Sequence, residues 1–353
     1  MRYLLILTGV FLVYTGRLTA QEDYQPTFED TMAVYENLFN IEDPLHLTLK
    51  FDLKTFRKTK FKGLYLPAEM TCHVNENFQV IHPVRIKARG EYRRSTCILP
   101  PFWVNIRYSG IEADSLRDLD VNRMKMVIRC KSASQYENYI LREYLIYKIY
   151  NIITPYSYRA RLVKLKFIDT SKEDKVSSEA WAFLIEPSDL MTTRLEGVMI
   201  KNDKLSLRSM NQEVMNLLAM FQYMIGNGDF SVTGRHNIKI IAVKPPGPIG
   251  ALPITYDFDY TGLVDAPYAI PGETLGITSV TERYYLGPCR PDKDQMEAIQ
   301  KIASCKDQII DTIMGFEYLD ETERKEIVAY LESYFLETED ERFIARHITP
   351  TCR

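Results

Sequence analysis

The 353-residue sequence lacks the short motifs that define several large enzyme classes. It contains no Gly-x-Ser-x-Gly turn, no Gly-x-x-x-x-Gly-Lys loop, no His-Glu-x-x-His pair and no Gly-x-Gly-x-x-Gly fingerprint. Serine hydrolases, P-loop nucleotidases, zinc proteases and dinucleotide enzymes that depend on those motifs are therefore excluded. Because no Cys-x-x-Cys pair is present either, zinc ribbons and thioredoxin-like redox sites are excluded as well.

The sequence also lacks an excess of positive charge. Its 44 Lys and Arg residues are balanced by 47 Asp and Glu residues, for a net charge of -3. This balance argues against a nucleic-acid binder and against a polybasic membrane surface, since both depend on clustered cations. With 46% hydrophobic and 12% aromatic residues, the chain has ample material for a core, and its length favours one large domain of two lobes.

Long hydrophobic runs are scarce, and the clearest one lies at the start of the chain. Arg2 precedes an apolar run over residues 4–13, and a small-residue exit follows at 18–20. This pattern predicts a secretory signal peptide over residues 1–20 and a secreted or periplasmic protein with no stable membrane span after its removal. The run is shorter than the ~20 residues of a membrane-spanning helix. Arg17, so close to the predicted cleavage site, leaves an uncleaved anchor as the alternative.

Six cysteines in an exported chain favour disulfide bonds, because such bonds persist in oxidising compartments. Cys97 and Cys130 each adjoin a predicted strand of the first half, and they are the first expected pair. The second expected pair joins Cys289 to Cys305 or to Cys352, and the sequence leaves that choice open.

The spacing of apolar residues divides the chain into two parts. In the first part, period-two alternation and short apolar runs predict an antiparallel sheet, and a Ser134-x-x-Glu137 capping box predicts a helix that ends near Pro155. The expected strands lie at residues 45–53, 84–88, 102–106, 126–128, 163–167 and 180–185. The second part is dominated by helical spacing. We therefore expect an α+β fold with a sheet-based N-lobe over 21–186 and a mostly helical C-lobe over 187–353.

Polar residues are concentrated in three short segments of the second part. Residues 227–229 (Asn-Gly-Asp) follow a helix, 235–237 (Arg-His-Asn) enter a strand, and 257–259 (Asp-Phe-Asp) leave the next strand. Carboxylate and amide oxygens are the ligands that Mg²⁺ and Mn²⁺ prefer, so these segments predict a metal site. The order acid, amide, acid is also the order of the catalytic Asp, the Asn and the metal-binding Asp in protein kinases.

These segments, together with earlier ones, resemble the CotH family of atypical spore-coat kinases. The matching segments are Arg89-Gly90, Leu141-Arg142-Glu143-Tyr144, Phe183-Leu184-Ile185-Glu186, Asn227-Gly228-Asp229, His236-Asn237 and Ile254 to Asp259. Each motif alone is only moderately specific, but their shared order spans about half the chain. The resemblance implies a two-lobed protein-kinase-like fold and an exported phosphotransferase that uses ATP with Mg²⁺ or Mn²⁺.

The resemblance also implies a role for each matching residue. Asp229 would be the catalytic base or an acid that orients the substrate, and Asn237 and Asp257 would bind the metal. Asp259 would be a second acid near the metal, and Glu186 would lie near the adenine. The γ-phosphoryl group would pass to a protein or to a small acceptor, whose identity the sequence does not give.

One segment departs from the family pattern. Where CotH proteins usually have lysines after the Arg-Gly motif, this chain has residues 97–101, Cys-Ile-Leu-Pro-Pro. The phosphate-binding cation is therefore unassigned among Lys87, Arg89 and Lys125, each of which is suited to phosphate.

The sequence leaves two other functions open. The chain could be a kinase-like binding protein without catalysis, or, with Asp229 and Asp257 as a carboxylate pair, a glycoside hydrolase. Individual residues also have simpler interpretations. Asp257 and Asp259 could belong to a solvated turn, and Glu143 could be either the partner of a phosphate-binding lysine or an exposed acid on its helix.

Overall fold

The computed structural model describes residues 38–75, 78–106, 123–177, 179–201 and 205–353. The predicted signal peptide lies outside these residues, so its presence and the export of the chain remain predictions. Among the residues described, no helix is both long enough and apolar enough to cross a membrane.

Seven strands of the first half close into a β-barrel. They follow one another around the barrel in the order β1, β2, β3, β4, β5, β8 and β6, and a parallel pairing of β1 with β6 completes the ring. The other pairings are antiparallel, and a short β7 extends the sheet beside β6. The strands are β1 (Leu45–Phe51), β2 (Leu66–Asn75), β3 (Phe78–Ala88), β4 (Phe102–Ile106), β5 (Arg123–Ile128), β6 (Ala160–Asp169), β7 (Lys175–Val176) and β8 (Ala180–Ile185).

Alternation along the strands sends every second side chain into the barrel. Leu47, Leu49 and Phe51 of β1 are buried there, and they share one hydrophobic core with Ile86 of β3 and Phe102 of β4. Burying a side chain of this size stabilises the fold by roughly 1.5–3 kcal/mol. The barrel is therefore closed around its own core.

The two-lobed protein-kinase-like fold, with an antiparallel-sheet N-lobe and a helical C-lobe, was the wrong expectation. The first half is a closed barrel of mixed strand direction. The second part also has a three-stranded sheet in the order β11 (Leu252–Thr255), β10 (Ile238–Val243) and β9 (Gly197–Met199). Alternation in a sequence shows which face of a strand is buried but not which strand lies beside it, so the pairing of Leu45 with Val163 could not be foreseen.

The helices pack on the outside of the barrel and around the second sheet. The helices are α1 (Leu53–Thr59), α2 (Glu91–Thr96), α3 (Gln135–Ile153), α4 (Ser188–Arg194), α5 (Gln212–Met224), α6 (Asp292–Ala303), α7 (Lys306–Met314) and α8 (Glu321–Thr338). The second sheet consists of β9 (Gly197–Met199), β10 (Ile238–Val243) and β11 (Leu252–Thr255). On α3, Tyr147 packs against Phe183 of β8, and Tyr150 stacks on Phe221 of α5 at 4.2 Å between ring centroids. Helix α3 therefore joins the barrel wall to the core of the second part.

Two disulfide bonds brace the fold. Cys97 is bonded to Cys130 and Cys289 to Cys352. The first is the pair that the sequence favoured, and the second is one of its two alternatives. Cys72 and Cys305 are free and half-buried.

We predict that Leu49→Ala destabilises the protein by about 2–5 kcal/mol, because Leu49 is fully buried in the barrel and its truncation leaves a cavity. The free energy of unfolding from urea titration measures this change. Ile81→Ala is the matched control, since Ile81 of β3 is 52% exposed, and we expect less than about 1 kcal/mol there. Equal losses for the two variants would contradict the assignment of Leu49 to the barrel interior.

Candidate functional site

The three polar segments meet beside the outer wall of the barrel. The backbone N–H of Gly262 donates to the carbonyl of Gly226 at 3.0 Å, and that of Tyr256 donates to the carbonyl of Asn237 at 3.1 Å. Gly226 has a φ of +66°, and a Cβ there would collide with the hydroxyl of Tyr330. A glycine after α5 is therefore required for the loop that carries Asp229 to approach the loop that follows β11.

A chain of buried amides positions the first loop. Gln222 of α5 donates to the hydroxyl of Thr255 at 2.7 Å and accepts from the side chain of Asn227 at 2.9 Å. The side-chain oxygen of Asn227 in turn accepts from the backbone N–H of Asp229 at 2.8 Å. Because each buried polar group has a partner, this network holds the loop in one conformation.

Asp229 is held by two neighbours from the second segment, residues 235–237. Its Oδ1 lies 2.9 Å from His236 Nε2, and its Oδ2 accepts from Asn237 Nδ2 at 3.0 Å. Burial raises the pKa of Asp229, while His236 opposes this and the charge of Asp257 adds to it. The carboxylates of Asp229 and Asp257 are therefore close enough to interact. Asp229 is the better proton acceptor of these two, because its pKa is raised whereas that of Asp257 is lowered.

Asn237 and Asp257 both have left-handed backbones, with φ of +54° and +68°. Non-glycine residues adopt this conformation at a free-energy cost of about 1 kcal/mol or more, and Asn and Asp tolerate it best. At Asp257 the strain is held in place by its backbone N–H, which donates to the hydroxyl of Tyr147 at 2.9 Å. Both side chains are thus placed by unusual backbone geometry.

Arg93 of α2 lies at the centre of the site. Its side chain is buried, and Nη2 lies 3.1 Å from Asp257 Oδ1 and 3.5 Å from Glu143 Oε2, while Nε lies 2.8 Å from Asp259 Oδ2. A hydrogen bond from Tyr268 also reaches Asp259. One guanidinium therefore bridges three carboxylates from α3 and from the loop after β11.

The three carboxylates differ in their ease of ionisation. Burial raises the pKa of Glu143 to about 8 and that of Asp259 to about 6, although Arg93 opposes both shifts. Burial also opposes ionisation of Asp257, but Arg89, Arg93 and Lys125 outweigh it and lower its pKa. Negative charge is therefore concentrated on Asp257.

Lys125 and Arg89 extend the positive side of the site along the outer face of the barrel. Lys125 is buried, and its ammonium lies 3.7 Å from the centre of the Tyr256 ring and 5.7 Å from that of Trp103. Burial and the charge of Arg89 lower the pKa of Lys125. Arg89 Nη2 lies 3.6 Å from Asp257 Oδ2 and therefore makes only a loose ion pair.

Two of the residues predicted for the site lie apart from this cluster. Lys87 is directly opposite Trp103 on the neighbouring strand, and its ammonium lies 4.9 Å from the centre of the Tyr65 ring. Both carboxylate oxygens of Glu186 are bound, one by Arg194 Nε at 3.0 Å and the other by Arg194 Nη2 at 2.8 Å. The structure brings together the other six: Arg89, Lys125, Asp229, Asn237, Asp257 and Asp259.

The donor atoms fit a hard divalent cation. Glu143, Asp257 and Asp259 have carboxylate oxygens within 4.8 Å of one another, and Glu143 Oε1 is buried without a hydrogen-bond partner. The amide nitrogen of Asn237 faces the carbonyl and the carboxylate of Asp229, which can only accept, so its amide oxygen is left for another ligand. Asp257 and Asn237 could therefore hold Mg²⁺ or Mn²⁺, whereas Arg93 contacts Glu143 and Asp259.

Sequence reasoning missed Arg93 and misjudged Glu143. Glu143 is 1% exposed, so it is not a surface acid, and its partner is Arg93 rather than a lysine. The available signal was the run Glu91-Tyr92-Arg93-Arg94 directly after the Arg-Gly motif, because it places two further arginines beside a candidate phosphate-binding segment.

Comparison with known proteins gives a distant structural likeness and no match to a family. No protein-family model matches the sequence, and no curated protein matches it. Among solved structures, the chain is similar to the proinflammatory kinase CtkA of Helicobacter pylori, with 12% identity over 69% of this chain and 91% of that chain, at a TM-score of 0.37. The neighbour is a kinase, but a likeness this distant does not identify the CotH family.

We predict that Glu143→Gln removes a pH dependence of stability. The pKa of Glu143 is about 8 in the folded protein against 4.5 for the free side chain, so stability is lost as the pH rises between these values. The variant cannot ionise, and it should match wild type at pH 4.5 but exceed it in stability at pH 8. The upper limit is several kcal/mol, since one pKa unit corresponds to about 1.4 kcal/mol.

Urea titrations at the two pH values measure this difference. Glu332→Gln on α8 is the control, because Glu332 is exposed and its replacement should have the same small effect at both pH values. A change in stability for Glu143→Gln that is equal at both pH values would show that the buried carboxyl does not keep its proton.

Proposed function

We propose that this chain is a divalent-metal-dependent phosphotransferase that uses ATP with Mg²⁺ or Mn²⁺. One observation carries the proposal: Asp229, Asn237 and Asp257, with Arg89 and Lys125 beside them, form a single site of separated positive and negative charge. Phosphoryl transfer needs little covalent chemistry from a protein and depends on positioning and on charge stabilisation, which such a site can supply.

In this proposal Asp229 accepts the proton of the acceptor hydroxyl. His236 and Asn237 fix its two oxygens, so the carboxylate is already oriented before any substrate binds. Burial raises its pKa, which makes it a stronger base than a carboxylate in water. Its exposed edge faces a small cavity of about 120 Å³ that Tyr260 and Leu275 line, where an acceptor hydroxyl could enter.

Asp257 and Asn237 would hold the metal ion. A bound divalent cation would neutralise phosphate charge during transfer. Asp257 is suited to this role because it stays ionised, and Asn237 because its amide oxygen is not used by Asp229. Asp259, the second predicted acid, would act through Arg93, to which it is bound at 2.8 Å.

Lys125 and Arg89 would bind the phosphates. In the described part of the chain, Lys125 contacts aromatic rings and no carboxylate, so its ammonium is available to an anion. A phosphate placed there would also stabilise its charged form, which burial disfavours. Lys87 and Glu186 stay candidates for the nucleotide, with Glu186 reaching the adenine only if Arg194 releases it.

The two other functions have weaker support. A glycoside hydrolase needs two carboxyl groups that flank one sugar-sized groove, yet the described residues lining the cavity at Asp229 do not include Asp257. A nucleotide-binding protein without catalysis has one observation in its favour. Arg93 occupies Asp257 Oδ1 at 3.1 Å, and this contact reduces the room for a metal ion.

We predict that the purified chain incubated with Mn²⁺ and γ-labelled ATP transfers label to itself or to water. Asp229→Asn should reduce transfer by about 10²-fold or more while ATP binding is kept, because proton acceptance is lost but the phosphate site is intact. Lys125→Met should instead weaken ATP binding by about tenfold, through loss of a charged hydrogen bond.

Asp311→Asn, an exposed acid on α7, is the matched control and should behave as wild type. Equal transfer by wild type and Asp229→Asn would refute the role of Asp229. If wild type binds ATP with Mn²⁺ but neither transfers nor hydrolyses it, the non-catalytic function replaces the enzymatic one.

A further inference from the structure

The size of the cavity beside Asp229 restricts the acceptor of the proposed phosphotransfer. Its volume is about 120 Å³, and exposed Ile270 and Gly272 are among its lining residues, so it is open to solvent on that side. An apolar cavity of about 150 Å³ is large enough to hold benzene. The cavity at Asp229 therefore has room for one small ring, with the rest of the molecule projecting through the opening.

The walls of this cavity are mainly apolar. Leu275 and Val280 are buried, and they line it together with the partly buried Pro271 and Ile277. An acceptor with an apolar body gains free energy when it leaves water for such walls. An acceptor group no larger than the hydroxymethyl group of a serine would leave most of the walls without a contact.

Two glycines leave the space that a ring would fill. Gly228 directly precedes Asp229, and a Cβ there would lie only 2.7 Å from Leu275 Cδ1. Gly272 has a φ of -61°, which any residue adopts, and a Cβ there would lie 3.7 Å from Leu275 Cγ. A side chain at Gly272 would therefore take up room beside Leu275 without straining the backbone.

The cavity offers few polar side chains. Among the described residues that line it, Asp229 carries the one charged group, and its side chain is 40% exposed. Tyr260 carries the one hydroxyl, which is hydrogen-bonded to Tyr92, and the two rings make an edge-to-face contact at 5.6 Å. A sugar or an anionic acceptor would bring hydroxyl groups or charge that these side chains cannot pair, at a cost in binding. A single hydroxyl on an apolar ring matches the cavity better.

We propose that the phosphoryl acceptor is a phenol, such as a tyrosine side chain, whose ring fills this cavity and whose hydroxyl reaches Asp229. This inference rests on the proposed phosphotransfer and extends it to the class of acceptor. The phenol proton passes to the carboxylate of Asp229, and the phenol oxygen forms a bond to the γ-phosphorus of ATP. The bond from that phosphorus to its bridging oxygen breaks, and ADP leaves.

The acidity of a phenol also suits this base. A tyrosine hydroxyl ionises with a pKa of about 10, so its proton is easier for a carboxylate to accept than that of an aliphatic alcohol. Burial raises the pKa of Asp229 and narrows the difference further.

Acceptor kinetics of the full chain with ATP and Mn²⁺ test the proposal. We expect kcat/KM for N-acetyltyrosine amide to exceed that for N-acetylserine amide by about tenfold or more, because only the ring contacts the apolar walls. N-acetylphenylalanine amide has the ring without the hydroxyl, and it should inhibit competitively against the tyrosine compound. The bare phenol p-cresol separates two sources of the acceptor: a higher kcat/KM for the tyrosine compound indicates a protein tyrosine, and a higher one for p-cresol indicates a free phenol.

Two variants that fill the cavity test the place where the ring binds. For Leu275→Trp and for Gly272→Leu, we expect the ratio of label transferred to the tyrosine compound over label released to water to fall by about tenfold or more. Taking this ratio removes any change that affects ATP binding alone. Leu336→Trp on α8 is the matched control, since Leu336 is 71% exposed, and it should keep the wild-type ratio. If Leu275→Trp does not fold, Gly272→Leu decides.

The outcomes separate the acceptor from the phosphotransfer itself. Equal kcat/KM for the tyrosine and serine compounds, with ATP hydrolysis present, would overturn the phenol and leave the phosphotransfer standing. Wild-type ratios in the cavity variants would show that the acceptor binds elsewhere. A wild-type chain that neither transfers label nor hydrolyses ATP would refute the phosphotransfer and the acceptor together.

Discussion

The buried guanidinium of Arg93 is the interaction on which the rest of the site depends. It contacts Glu143, Asp257 and Asp259, which come from α3 and from the loop after β11, while Arg93 itself lies on α2. Three carboxylates cannot be buried together without a cation, because each isolated charge would cost several kcal/mol of desolvation and the like charges would repel. Arg93 therefore joins the barrel to the second part of the chain by a contact that neither part can satisfy alone.

The distribution of charge within this cluster has a chemical consequence. Glu143 and Asp259 keep their protons at higher pH than usual, whereas the cations on the outer wall of the barrel hold Asp257 in its ionised form. Negative charge is thus concentrated on the one carboxylate whose backbone is strained and which lies beside Asn237 and Asp229. Strain of this kind persists only where the surroundings enforce it, and it is more frequent at functional sites than elsewhere.

Local structure could be predicted from the sequence much better than its arrangement in space. Strand β4 coincides with the alternation over 102–106, β8 coincides with the run over 180–185, and α3 begins one residue after the predicted start. The predicted capping box was less accurate, since Ser134 lies at the N-cap position of α3 but its side chain makes no capping hydrogen bond. Barrel closure could not be predicted, because the contact of β1 with β6 depends on partners about 120 residues apart. Arg93 was missed for a related reason: a basic residue on a short helix looks solvent-exposed until its three acidic partners are known.

The wrong prediction of a kinase-like fold does not rule out the proposed phosphotransfer, because the fold and the site rest on different evidence. Function is carried by a site, and one site can occur on unrelated folds. The acids near Asp229 converge through local contacts, namely the amide network of Gln222 and Asn227 and the backbone pairing of Gly226 with Gly262, and none of these requires a kinase lobe. What the barrel adds is the positive wall of Arg89 and Lys125. A phosphate ligand would therefore have to bind between two parts of the chain that already attract each other through Arg93, and its affinity must depend on competition with that internal ion pair.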